Sequence, residues 1–341
     1  MTSGGFRLGK ILGIELRIDA GLFVIFVLVA LSLGGELFPR QHPDWTPTRT
    51  WLLAFVAATC FFASIFLHEM SHALVARAFG ISVESITLFL FGGLAHMKRE
   101  PDSPKAELAI AAVGPFTSLA IGAGAIGIGR ALAAGAEEAG ALATLLLWLG
   151  PVNVVLGVFN LVPGFPLDGG RVLRAAIWAG TNDLRRATYW ASKTGQAFGF
   201  LLTFVGIAMA FGFAFPWFGG GLVQGLWFAF IGWFLSNAAA ASYRQAVVHE
   251  LLDGATVARL MRTDAITVSP DLSVAELVDG YFLGSTDQRA FPVVAGDRLV
   301  GIVSLRDVRK VPRAAWPGTR VGDVMTREAL PSAAPQESLA E

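Results

Sequence analysis

The distribution of charge limits this chain's fold more than any other feature. Five stretches contain no Asp, Glu, Lys or Arg: Ala20–Gly35, Thr50–His68, Leu108–Gly129, Ala139–Leu167 and Thr194–Tyr243. A helix crossing the hydrocarbon of a bilayer needs about 20 apolar residues, so each of the first four stretches accommodates one crossing. The fifth is too long for one, and Pro216 with Gly219-Gly220-Gly221 breaks it. It reads as two helices, about 195–215 and 223–243, joined by a turn. Six spans result. Arg7, Lys10 and Arg17 ahead of the first span also suit a signal peptide. No small-residue cleavage pattern follows, so a retained helix is expected.

Charge then divides the chain in two. Charged residues number 28 in the first 243 positions, about 12%, and 24 in the last 98, about 24%. Soluble domains carry roughly 25%. The expectation is a membrane domain over 1–245 and a soluble domain over 246–341. Acidic and basic residues balance at 26 each. Without a basic stripe, direct binding of nucleic acid is excluded. The single cysteine, Cys60, excludes a disulfide framework and a Cys-based zinc cluster.

Positive charge alternates along the connections. Arg7, Lys10 and Arg17 precede span one. Arg77, Lys98, Arg99 and Lys105 lie between spans two and three, and Arg171, Arg174, Arg185, Arg186 and Lys193 between four and five. The intervening connections are poorer in cations. The positive-inside rule therefore puts both termini in the cytoplasm, and a prokaryotic cytoplasmic membrane is the expected setting. One connection is unusual. Residues 86–97 (ITLFLFGGLAHM) carry no charge, yet are too few to cross a bilayer. The Gly92-Gly93 break suggests a short re-entrant β-hairpin shielded by protein.

Span two closes on His68-Glu69-Met70-Ser71-His72. On a helix, positions i and i+4 share a face, so both imidazoles reach one metal ion. Glu69 points about 100° away, towards a water rather than the metal. Ionisable side chains at the centre of a membrane helix cost about 2.5–3.5 kcal/mol each and are functional by default. A catalytic zinc site takes three protein ligands. Asp168, closing the run Asn160-Leu-Val-Pro-Gly-Phe-Pro-Leu-Asp-Gly-Gly170, is the candidate third; capping the following helix is its ordinary alternative. Pro163 and Pro166 forbid a regular helix there. Asn160 offers an amide to an oxyanion, or to backbone groups freed by the break.

The two motifs in this order resemble those of the site-2 protease family of intramembrane zinc metalloproteases. The similarity spans most of residues 1–245, including the Gly92-Gly93 hairpin and the Glu107 to Gly114-Pro115 segment. It implies an all-α polytopic membrane protein with six transmembrane helices and a small re-entrant β-hairpin. It implies Zn2+ held by His68, His72 and Asp168, Glu69 as general base, and Asn160 in transition-state stabilisation. The expected reaction is hydrolysis of peptide bonds in transmembrane substrates. Leu90, Phe91, Gly92 and Gly93 of the hairpin are expected to bind the unwound substrate by strand addition. The substrates implied are single-span membrane proteins tied to signalling or transcription. His96, His42 and His249 are expected to be solvated or peripheral, and Gly122, Gly124, Gly127 and Gly129 to permit close helix contact.

The tail resembles a CBS (cystathionine-β-synthase) region, forming a soluble α/β domain. One repeat covers about 257–311, carried by Arg259–Val268 and Gly301–Asp307. A partial second, about 321–341, begins at Val321-Gly-Asp-Val-Met-Thr-Arg. Such repeats pair to build adenosyl-ligand clefts, which implies an adenine nucleotide near Ser304 and Asp307, or homodimerisation through the CBS region. The half repeat is expected either to continue in a longer chain or to dock on another chain. Two other classes compete with a protease. A zinc-binding membrane scaffold or chaperone would not need Glu69. A zinc transporter would need polar residues recurring along several spans.

Overall fold

The computed structural model describes residues 6–89, 92–135, 140–215, 219–253, 256–284, 288–327, 330 and 332–337. It divides into a unit over Met1–Val247 and a unit over Val248–Glu341. Among the described residues, six helices are long and apolar enough to cross a membrane. These are Ala20–Gln41, Pro47–Ala78, Pro104–Ala134, Gly140–Asn160, Leu184–Ala210 and Leu222–Val248.

The chain begins with two strands, β1 (Phe6–Ile11) and β2 (Ile14–Ile18), where only a basic flank was expected. Ile14, Leu16 and Ile18 alternate with Glu15 and Arg17, a half-buried strand pattern. Leu12 and Gly13 both take positive φ at the turn between them, the conformation that two-residue hairpins require. β3 (Val83–Phe89) and β4 (Gly92–Met97) form the hairpin expected over 86–97. That hairpin does not stand alone. β2 pairs with β3 in parallel, giving one sheet in the order β1-β2-β3-β4 with β4 at its edge. Leu90 and Phe91 lie outside the described residues.

The first span is α1 (Ala20–Ser32), capped by Asp19 and continued through a π-turn (Leu33–Leu37) into α2 (Phe38–Gln41). α3 (Pro47–Ala78) is 32 residues long, N-capped by Thr46. It does not end at the histidine motif; it runs ten residues past His68. Those added turns carry Ala73 and Ala76 into a core with Ile14, Ile81, Val83, Ile86 and Ile110, so the sheet packs on the motif-bearing half of α3.

α4 (Pro104–Gly135) and α5 (Gly140–Asn160) approach closely. A Cβ on Gly122 would stand 2.9 Å from the Gly150 carbonyl oxygen, and one on Gly150 3.0 Å from that of Gly122. Gly129 likewise faces Leu146 and Leu147. Gly124 and Gly127 face open space, so they do not serve the contact expected of them. After α5 the chain breaks through 161–167, which includes a cis Phe165–Pro166 peptide, and re-enters as α6 (Asp168–Thr181). Side chains on Gly169 or Gly170 would overlap the backbone of 161–162 and 164–165. The paired glycines let this break fold back tightly. α7 (Leu184–Ala210) and α8 (Leu222–Asp253) follow.

The second unit contains a β5–β6 hairpin (Ala290–Ala295, Arg298–Ser304), turning at Gly296 with positive φ. It also has α9 (Val257–Leu260), α10 (Val274–Leu277), α11 (Leu305–Val308) and α12 (Val321–Val324). Val268, Val274, Leu277, Phe291, Val293, Val303 and Val321 form its core. The beginning of the half repeat packs on the first repeat. Val321 and Gly322 donate to the carbonyls of Leu272 and Pro270, and Thr326 bridges Ile302 at the sheet edge. The first repeat is thus closed by its own successor.

Candidate metal centre and active site

Three donor atoms converge from two helices. His68 and His72 stand one turn apart on α3, both buried, with their Nε2 atoms 3.2 Å apart. Asp168 Oδ2, at the first position of α6, lies 3.0 Å from His68 Nε2 and 3.2 Å from His72 Nε2. No side chain caps α6, whose N-cap is Leu167, so the carboxylate of Asp168 is directed to the histidines rather than to its own helix. Among the described residues these three form the one group able to hold a metal ion.

The chemistry of the set fits zinc. Nitrogen and oxygen ligands at about 2.0–2.2 Å in a tetrahedron stand roughly 3.3 Å from one another. The His72 Nδ1–H donates to the Ile110 carbonyl at 2.5 Å, which leaves its Nε2 as a bare lone pair. His68 Nδ1 shares a hydrogen bond of 2.9 Å with the Ser118 hydroxyl. Two imidazole nitrogens and a carboxylate oxygen at this spacing hold either shared protons or a metal ion. Gly114 faces the triangle: a Cβ there would overlap His72 Nε2 and stand 2.7 Å from His68 Nε2.

The donors line a cavity of about 490 Å³. Glu69 lines it too, beneath β4; a Cβ on Gly93 would overlap the Glu69 side chain. Gly92, with φ of +133°, turns the strand over the site. Asn160, at the end of α5, lines the same cavity and donates one amide hydrogen to the Leu156 carbonyl at 3.0 Å. Trp227 and Phe234 of α8 form an apolar wall, and Arg171 of α6 reaches the cavity as well. His96 is exposed on β4, away from the donors. His42 is half-buried: it stacks on Trp45 with ring centroids 3.9 Å apart and meets Thr144 Oγ1 at 2.8 Å.

Some participants escaped sequence reasoning. Ser118, the Ile110 carbonyl and the pairing of Glu107 with Arg174 support the site from α4 and α6. Glu107 and Gly114 left a signal only as parts of the segment that resembles the family. Ser304 and Asp307 lie together at the start of α11. The Ser304 hydroxyl donates to Asp307 Oδ2 at 2.7 Å and its N–H to the same oxygen at 3.1 Å, while Lys310 reaches Oδ1 at 2.9 Å. Burial pushes the Asp307 carboxyl up, but those Ser304 and Lys310 contacts outweigh it and hold the group below the usual range.

A bundle of membrane-spanning helices closing two histidines and a carboxylate around one point, with a second acid beside them, defines a polytopic metallohydrolase. Comparisons with known proteins specify it. The profile of peptidase family M50 matches residues 56–133 and 123–205, and that of the CBS domain residues 257–314. A zinc metalloprotease named Rip3 from Mycobacterium tuberculosis is 37% identical over 336 residues, covering 97% of this chain and 82% of that protein. One from Synechocystis is 33% identical over 324 residues, covering 95% and 82%. A solved structure, a site-2 protease from Methanocaldococcus jannaschii, aligns over 70% of this chain and 95% of its own. Its TM-score is 0.46 at 26% identity. The chain belongs to peptidase family M50, the site-2 proteases: it is an integral-membrane zinc metalloprotease of intramembrane proteolysis, carrying a CBS domain.

Proposed function

We propose that His68, His72 and Asp168 hold one zinc ion and that Glu69 is the general base of peptide hydrolysis in the adjoining cavity. The observation that carries this reading is the convergence of two imidazole nitrogens and one carboxylate oxygen within 3.2 Å at the cavity wall. Zinc, when bound there, supplies Lewis acidity to the scissile carbonyl and acidifies the attacking water. Glu69 lies one residue from His68 and so is turned about 100° from it, towards β4 and the substrate. Its carboxylate takes the proton from the attacking water and delivers it to the leaving amine. Asn160 retains a second amide hydrogen, which donates to the oxyanion.

The substrate is an unwound segment of a single-span membrane protein, of the kind that tethers signalling or transcription factors. It adds as a strand to the outer edge of β4, with Gly92 and Gly93 leaving its backbone room above Glu69. Leu90 and Phe91 are assigned to the same binding surface from sequence alone. The excess of cations on alternate connections supports both termini lying in the cytoplasm of a prokaryotic cell. The CBS region regulates the protease through an adenine nucleotide at Ser304 and Asp307, or by homodimerisation. A nucleotide there would have to replace the bonds these two residues make to each other.

Cleavage of single-span proteins in detergent by wild type and Glu69→Gln tests the mechanism. A fall of about 10²–10⁴-fold is expected. Equal rates would overturn the assignment of Glu69.

A further inference from the structure

We propose that one face of α4 is the positioning surface of the metal centre: Ser118 sets the ring of His68, and Glu107, through Arg174, sets the helix that carries Asp168. The inference rests on the assignment of His68, His72 and Asp168 to zinc.

Glu107, Ile110, Gly114 and Ser118 follow one another at steps of three, four and four, and so share a face of α4. Each meets a different part of the site. The Ile110 carbonyl accepts from His72 Nδ1 at 2.5 Å. Gly114 leaves the donor triangle its space. Ser118 is fully buried, and its hydroxyl meets His68 Nδ1 at 2.9 Å. That pairing crosses between helices, whereas the neighbouring Thr117 bonds back to the Val113 carbonyl of its own helix. A partner on Nδ1 fixes the rotation of the ring, and so the direction in which Nε2 points.

Glu107 acts at longer range. It is fully buried, and its Oε1 accepts from Arg174 Nε at 2.6 Å and Nη2 at 2.5 Å. Arg174 also reaches Glu100 at 3.2 Å and lies over the Phe165 ring at 5.4 Å. Arg174 sits six residues after Asp168, on the same helix. The forked contact therefore pins α6 in rotation and in height against α4. Stability alone does not account for this pair, because buried ion pairs commonly gain nothing over apolar residues of the same size. Glu107 Oε2 has no hydrogen-bond partner among the described residues. What the pair does achieve is placement of Asp168 Oδ2 against two nitrogens on another helix.

The test uses the full chain in detergent. Zinc affinity is measured by chelator competition, and site geometry by the visible absorption of the Co2+-loaded protein. Ser118→Ala and Glu107→Gln are each expected to weaken zinc about 10–100-fold and to alter the Co2+ spectrum. The melting temperature of metal-free Ser118→Ala should match wild type. Arg174→Lys, which keeps the buried charges balanced, replaces Glu107→Gln if the latter does not fold. Zinc affinities within about twofold of wild type, with unchanged spectra, would overturn the inference, provided His68→Ala has lost zinc. Zinc binding by His68→Ala equal to wild type would instead show that the zinc assignment itself is wrong.

Discussion

The two units treat their polar residues in opposite ways. In the membrane unit, His68, His72 and Asp168 bring acceptor atoms together on one side and place supporting partners, Ile110 and Ser118, on the other. In the CBS unit, Ser304 and Asp307 bond to each other and to Lys310, closing a capping box at α11. A cluster of two imidazole nitrogens and a carboxylate closing on one point is suited to hold a cation. A cluster whose donors and acceptors match is complete as it stands. Both were read from sequence as site residues, and their chemistry differs because their neighbours do.

Removing the cation from the first cluster should have the largest effect. Zinc chelation, or His72→Ala, is expected to abolish cleavage, and adding zinc should restore the chelated wild type but not the variant. Gly114→Val comes next, because its side chain would occupy the space of both Nε2 atoms. A folded protein with zinc affinity lowered at least about tenfold is expected, read by chelator competition. Breaking the support beneath the centre acts on stability. Arg174→Ala leaves buried Glu107 with only the longer Arg171 contact at 3.9 Å, at a cost of up to about 3–5 kcal/mol, measurable as a lower denaturation midpoint in detergent.

Changes to the closed cluster should be smaller and confined to its own unit. Asp307→Ala removes a helix cap worth about 0.5–2 kcal/mol, visible as faster hydrogen exchange of the β5–β6 amides. The same carboxyl predicts a pH dependence. Its folded pKa lies below the unfolded one, so its stabilisation is complete above the ordinary carboxylate range. It is lost as pH falls through the folded value, below about pH 4. Exchange in β5–β6 that does not accelerate there would remove Asp307 as a stabilising group.

The donors themselves could be found without a fold. Two histidines at helical spacing in charge-free sequence, and an aspartate after a proline break, are costly in a membrane unless they act together. The N-terminal strands were also present as a pattern, in the alternation of Ile14, Leu16 and Ile18, but three cations before an apolar run suit a membrane flank equally well. The reach of α3 past His68 was hidden because Glu69, His72 and Arg77 interrupt the apolar run while the helix continues into the sheet-packed core. Ser118 was hidden for another reason. A hydroxyl in an apolar helix usually bonds to its own backbone, as Thr59 and Thr117 do, and no local pattern marks the exception.

Sequence alone therefore determined the uneven charge of the two units, six helices apolar enough to span a membrane, and the residue types at the candidate metal centre. Those properties follow from composition along the chain, which hydrocarbon and water sort residue by residue. Tertiary structure decided the rest: that Asp168 bonds to histidines and not to its own helix, that β4 passes over Glu69, and that α4 supports a centre to which it gives no ligand. Each is a contact between segments far apart in sequence. Hydrogen-bond distance and steric room, as at Gly114 and Ser118, exist only once the helices have packed.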